Sequence, residues 1–121
     1  MIIVDTSIWV DHFRRTTKSL VKLIADGGIM LHPYVYGELA LGGFPTRGTA
    51  ADEMSELARP PVASAAETLA FIAWAELAGT GVGYVDTHLL ISARLLGTGR
   101  VLTSDKRLHA QAERLGVAYT P

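Results

Sequence analysis

Asp5, Glu38, Asp86 and Asp105 are the residues whose type and placing best suit chemistry. In VDTSIW, residues 4–9, a carboxylate and two hydroxyls directly follow the short apolar run Ile2 to Val4. A carboxylate closing a buried element has two uses. It caps the helix that follows, by accepting hydrogen bonds from free helix amides, or it supplies part of a metal site. The capping account fits Asp86, ahead of THLLISARLL, and Asp105, ahead of KRLHAQ, equally well. It fits Glu38 less well. That residue sits within a helical stretch, Tyr34 to Leu41, between small or apolar neighbours, where a solvated glutamate is its plain explanation.

Convergence of the four would change the chemistry. A pair of like charges about 4 Å apart costs roughly 4 kcal/mol at an effective dielectric near 20. Either some of the acids then hold protons, or a divalent cation neutralises the group. The sequence has no cysteine and no clear histidine pair, so an all-oxygen site suits Mg²⁺, with Mn²⁺ as an alternative, better than Zn²⁺. Such a cation lowers the pKa of a bound water and stabilises charge on a phosphoryl oxygen. No nucleophilic side chain is then required.

The elements that must position these acids alternate in type. Ile2 to Val4 reads as a strand, followed by a helix through Trp9, Val10 and Phe13, with Thr6 or Ser7 at its cap. A helix over 19–25 stops at Gly27-Gly28, and Ile29 to Leu31 reads as a second strand. The helix carrying Glu38 ends at Gly42-Gly43, and FPTRGTA is a loop leading to a helix over 50–58. Ser64 and Glu67 form a capping-box pair, and the helix they open is apolar nearly all round, which predicts a deep position. GTGVGY connects to a helix from Asp86. A strand over 100–103, a helix over 105–115 and a last strand over 117–119 complete the chain. Short apolar strands alternating with helices predict a parallel sheet between helix layers. Ligands gather beyond the carboxyl ends of such strands, where Asp5 and Asp105 lie.

Composition narrows the function classes. A single domain of 121 residues, 49% apolar and 19% charged, folds on hydrophobic burial. Lack of cysteine excludes thiolate catalysis and disulfides. The apolar segment from Ala65 to Ala78 is too short to span a bilayer, and nothing resembles a signal stretch, so a cytoplasmic, membrane-free protein is expected. The net charge of −1 gives no general positive field. Its distribution is uneven: seven acids and only two bases, Arg47 and Arg59, lie from Glu38 to Asp86, and the other nine bases lie outside.

Four blocks, VDTSIW at 4–9, YGELALG at 36–42, GYVDTHLL at 83–90 and LTSDKRL at 102–108, together resemble the acidic blocks of PIN-domain ribonucleases. In length the chain is similar to the VapC toxins of toxin–antitoxin pairs. The resemblance implies a three-layer α/β/α sandwich with a short, mainly parallel central sheet, and metal-dependent hydrolysis of RNA phosphodiesters. It implies an acidic site of Asp5, Glu38, Asp86 and Asp105, with Asp5, Asp86 and Asp105 as metal ligands, the last directly or through water. Glu38 would hold a water or accept its proton. Thr6, Ser7 and Thr103 match hydroxyl positions that orient the family's carboxylates, although capping and strand-end turns account for them equally. The resemblance also implies a homodimer and a cognate antitoxin, whose apolar tail would lie against the early helices near Trp9 and Phe13, with Arg14 or Arg15 reaching its acids.

Other features invite chemistry less strongly. His12, His32, His88 and His109 show no metal spacing and read as surface or partly buried imidazoles. GTGVG lacks the Gly-Lys-Ser/Thr of a phosphate loop. Arg14, Arg15, Lys18, Lys106 and Arg107 flank the acids and suit an RNA backbone, although a solvated helix face explains each singly. Trp9 and Phe13, one turn apart, read first as core. Three competing functions remain open: a PIN nuclease of RNA processing, a PIN-like scaffold without turnover, and a receiver-like Mg²⁺-binding signalling module. The last lacks an evident late-strand lysine and gives Glu38 no task.

Overall fold

A computed structural model describes residues 1–121. Three parallel strands carry the fold: β1 (Ile2–Val4), β2 (Ile29–Met30) and β3 (Arg100–Leu102), in the order β2-β1-β3. Ile2 pairs with Ile29 on one side and Arg100 on the other, and Val4 pairs with Leu102. The helices are α1 (Thr6–Arg14), α2 (Lys18–Ala25), α3 (Pro33–Leu41), α4 (Thr49–Ser55), α5 (Ala65–Trp74), α6 (Tyr84–Leu95) and α7 (Lys106–Arg114). Because β1 lies in the middle, the chain moves one way to reach β2 and the other way to reach β3. Right-handed crossovers then put the two connections on opposite faces, giving the expected α/β sandwich. The order reverses at β1, so its carboxyl end, where Asp5 follows, is the switch point of the sheet.

Ile3, Val4, Val101, Leu31, Leu89, Leu90 and Leu108 are fully buried around this sheet. Close packing next to it depends on Gly99, where an added Cβ would lie 2.7 Å from the Ala93 carbonyl oxygen. The turn into β3 therefore presses directly on the α6 backbone.

Several expectations change. No strand forms over 117–119; Ala118 makes only a single parallel bridge to Val101. The helix expected over 50–58 runs from Thr49 to Ser55. The helix bearing Asp86 starts earlier, at Tyr84 with Gly83 at its cap, so Asp86 lies inside the first turn and is not a cap. The capping box of Ser64 and Glu67 forms as read. The helix it opens, however, does not lie deep: Thr68 is the only buried residue of α5, while Leu69 is 65% and Trp74 62% exposed. Apolar composition measured what this helix needs, and one chain does not cover it.

Candidate active site

Asp5 follows β1 and caps α1, its Oδ1 accepting from the Thr6 amide at 2.7 Å. Asp105 caps α7, its Oδ1 accepting from the amides of Arg107 and Leu108 at 2.8 and 3.0 Å. The capping account is therefore correct for both. It is also incomplete, because both strands end on the same edge of the sheet and bring the two caps together. Thr103 joins them: its hydroxyl donates to Asp5 Oδ2 at 2.7 Å and accepts from the Asp105 amide at 3.0 Å. Ser7 donates to the same Asp5 oxygen at 3.1 Å and lies 3.1 Å from the Ser104 hydroxyl. Three donors thus orient the two oxygens of Asp5, which is only 6% exposed.

Glu38 approaches from α3, where the Thr6 hydroxyl donates to its Oε1 at 2.7 Å. Thr6 is thus a link between Asp5, through its amide, and Glu38, through its side chain. Asp86 enters from the first turn of α6 and feels the other three acids. Burial, then the charge of Asp5, pushes its pKa up to about 6, with Asp105 and Glu38 adding to the rise and the Gly83 backbone opposing it. All four predicted acids therefore share one electrostatic neighbourhood, and all three predicted hydroxyls serve it.

No lysine or arginine forms an ion pair with any of these acids; the only ion pair is His109 with Glu113. As posed, no three acidic or imidazole groups stand close enough together to hold an ion. Donors already occupy one or both oxygens of Asp5, Asp105 and Glu38. Asp105 Oδ2 and Glu38 Oε2 accept no hydrogen bond and remain open. The donor set suits a hard dication: it is all oxygen, strongly anionic and without a protein counter-charge.

The four-block resemblance now has an independent measure. A family model described as PIN domain matches residues 2–114. The chain belongs to the PIN-domain family. It is 42% identical over 118 residues, 98% of its length and 95% of the relative's, to the protein named Ribonuclease VapC32 in two Mycobacterium tuberculosis strains, CDC 1551 / Oshkosh and H37Rv. No solved structure matches significantly. Membership of the family sets aside the receiver-like alternative.

The sequence did not indicate two buried histidines, one of them on α6 two residues after Asp86. His32 and His88, expected at or near the surface, are 0% and 1% exposed. His32 caps α3, its Nδ1 accepting from the Tyr34 amide at 3.0 Å, and burial with the nearby His88 lowers its pKa to about 4. Burial lowers that of His88 too, and its Nε2 lies 3.4 Å from the Thr68 hydroxyl. The signal available was His32-Pro33 itself, a cap followed by a proline in the first turn. Trp9 is core, at 1% exposed, whereas Phe13 is 45% exposed and stacks on Phe44 with centroids 4.7 Å apart.

Proposed function

We propose that this PIN domain is a Mg²⁺-dependent endoribonuclease, active also with Mn²⁺, and the toxin of a toxin–antitoxin pair acting in the cytoplasm. The observation that carries the catalytic reading is a set of four acids without a basic partner, in which Asp86 is buried and feels the charges of Asp5, Asp105 and Glu38. A 42%-identical relative named as a ribonuclease over nearly the whole chain supports the substrate class.

Asp5, Asp86 and Asp105 would hold the cation, which supplies a more acidic water and charge stabilisation at the phosphoryl group. The remaining work falls to this chain's own residues. Thr103, Ser7 and the Thr6 amide hold Asp5 in one orientation, so its carboxylate need not be ordered when the ion arrives. The Thr6 hydroxyl fixes Glu38 through Oε1. Glu38 Oε2 is then free to orient an attacking water and accept its proton. Exposed Arg14, Arg15, Lys18, Lys106 and Arg107 give the flanking phosphates of RNA a positive path.

Two protein partners fit two apolar surfaces. A cleft of about 250 Å³ lined by Trp9, Phe13, Ile24, Phe44, Met54 and Leu57 suits the apolar tail of an antitoxin, with Arg14 and Arg15 close in sequence to pair with its acids. The exposed face of α5 suits a second copy. Glu67 lies in its first turn, and at its far end Arg94 sits over the Trp74 ring, 4.7 Å from the centroid. Antiparallel packing of two α5 helices about a two-fold axis then sets each glutamate towards the partner's arginine.

The test is incubation of purified protein with total RNA in Mg²⁺, Mn²⁺ or chelator, beside Asp5→Asn. Cleavage should require the cation and fall at least about 100-fold in the variant, since loss of a ligand exceeds loss of an outer partner. Metal-independent cutting that survives Asp5→Asn defeats the mechanism. Growth arrest on expression, relieved by the neighbouring small protein, separates a toxin from an RNA-processing nuclease. Cation-bound protein that cuts no RNA would make it a scaffold.

A further inference from the structure

Tyr84 opens α6 two residues before Asp86 and is 52% exposed. Its ring packs edge-to-face on His88, one turn further along, with centroids 5.0 Å apart, and Tyr34 of α3 packs on His88 in the same manner at 4.6 Å. The buried imidazole therefore fixes an exposed aromatic at the start of the helix that carries Asp86.

Tyr84 also lines a cleft of about 230 Å³, together with Ile72, Leu77, Gly79, Gly81 and Val82. That volume lies below the roughly 300–1,000 Å³ of sites for drug-sized molecules and suits a single planar ring system. The polar side chains around it are already committed. The Thr80 hydroxyl donates to the Leu77 carbonyl at 2.7 Å, and the Thr87 hydroxyl to the Gly83 carbonyl at 2.9 Å. These walls offer surface for stacking and few groups for reading a base edge.

A cation reaches the same loop. Gly81 has a φ of +85°, and a Cβ there would lie 2.7 Å from Cδ and 3.2 Å from Nε of Arg107. Arg107, in the first turn of α7 two residues after Asp105, thus lies across the glycine loop that forms one wall of the cleft.

We propose that this cleft is a nucleobase subsite for single-stranded RNA: a base flanking the cut stacks on Tyr84, and Arg107 takes an adjoining phosphate. The subsite rests on the nuclease reading above and adds to it the side chains that hold a flanking nucleotide, Tyr84 and Arg107. A base must leave its helix to stack there, so unpaired RNA is favoured over duplex, with little preference among the four bases.

The test measures binding of a short single-stranded RNA in Mg²⁺, in the Asp5→Asn background so that the strand survives. Stacking lost with Tyr84→Ala should weaken binding about 10-fold or more, and Tyr84→Phe should recover most of it. Tyr84→Leu keeps an apolar side chain against His88 without a π face, so it should bind as weakly as Tyr84→Ala while retaining the parent's melting temperature. An abasic site at one position beside the cut should cost the parent as much as Tyr84→Ala does, and cost the Tyr84→Ala protein nothing further. A 2-aminopurine placed there should lose fluorescence on the parent but not on Tyr84→Leu. Wild type that cuts RNA while the Tyr84 variants bind like the parent, or additive losses from variant and abasic site, overturns the subsite alone. Wild type that neither binds nor cuts RNA defeats the nuclease reading and the subsite with it.

Discussion

Asp5 is 6% exposed and His32 not exposed at all, yet donors hold both oxygens of Asp5 while Nε2 of His32 has no partner. His88 repeats the histidine pattern, with Nδ1 buried and unpartnered. The two regions face the same desolvation penalty and meet it differently. Around Asp5 the protein supplies hydrogen-bond donors to both carboxylate oxygens, which fix its orientation. Around His32 it supplies one amide donor, and burial, then the nearby His88, lowers the pKa of the ring to about 4. The carboxylate is bound by donors, and the imidazole is left largely to packing.

The largest effect should come from stripping a donor off Asp5. Thr103→Val removes the hydroxyl that binds Asp5 Oδ2 and holds the Asp105 amide, at nearly constant volume. Metal affinity, read as the Mg²⁺ concentration for half-maximal cleavage, should weaken about 10- to 100-fold. Unchanged affinity would break the comparison, because the hydroxyl would then be only a turn-former.

The histidine region should appear in acid. His32 has a folded pKa of about 4 against 6.5, so between those values the unfolded chain holds the extra proton. Its contribution is complete above about pH 6.5 and is lost as pH falls towards 4, amounting to roughly 2–3 kcal/mol. His32→Asn, which keeps a side-chain acceptor for the Tyr34 amide, should flatten that slope in melting curves taken across pH. An unaltered slope would mean that His32 is not the group titrating.

Asp86 gives a smaller effect of the opposite sign. Its pKa is raised from 3.8 to about 6, so the folded chain holds the extra proton in that window and the metal-free protein loses stability as pH rises through it. With its partial exposure discounted, the repulsion relieved at neutral pH by Asp86→Asn is on the order of 1 kcal/mol. The metal-free variant should melt a few degrees higher than wild type, while wild type alone gains on adding Mg²⁺. A metal-free variant that melts lower would show that the acids do not repel as described.

Local features were legible in the letters. The apolar triplet 2–4, the capping box at Ser64 and the stops at Gly27-Gly28 and Gly42-Gly43 each act within a turn of chain, and the structure keeps them. Family blocks then named four acids, and in the structure Asp86 feels the charges of the other three. Burial was read less well. α5 looked deep because it is apolar, and His32 and His88, read as surface or partly buried, are both buried. Composition states a preference for burial, and packing decides which preferences are met.

By itself, then, the chain determined its short strands, its caps, its lack of any thiol chemistry and the order of its acids, because these depend on neighbours a few residues apart. Tertiary structure alone decided that Thr103 would hold Asp5, 98 residues away, that Thr6 would hold Glu38, 32 residues away, and that Tyr84 would stand beside a cleft. The physical reason is register: three parallel strands in the order β2-β1-β3 fix which loop ends meet, and that pairing is a property of the whole sheet.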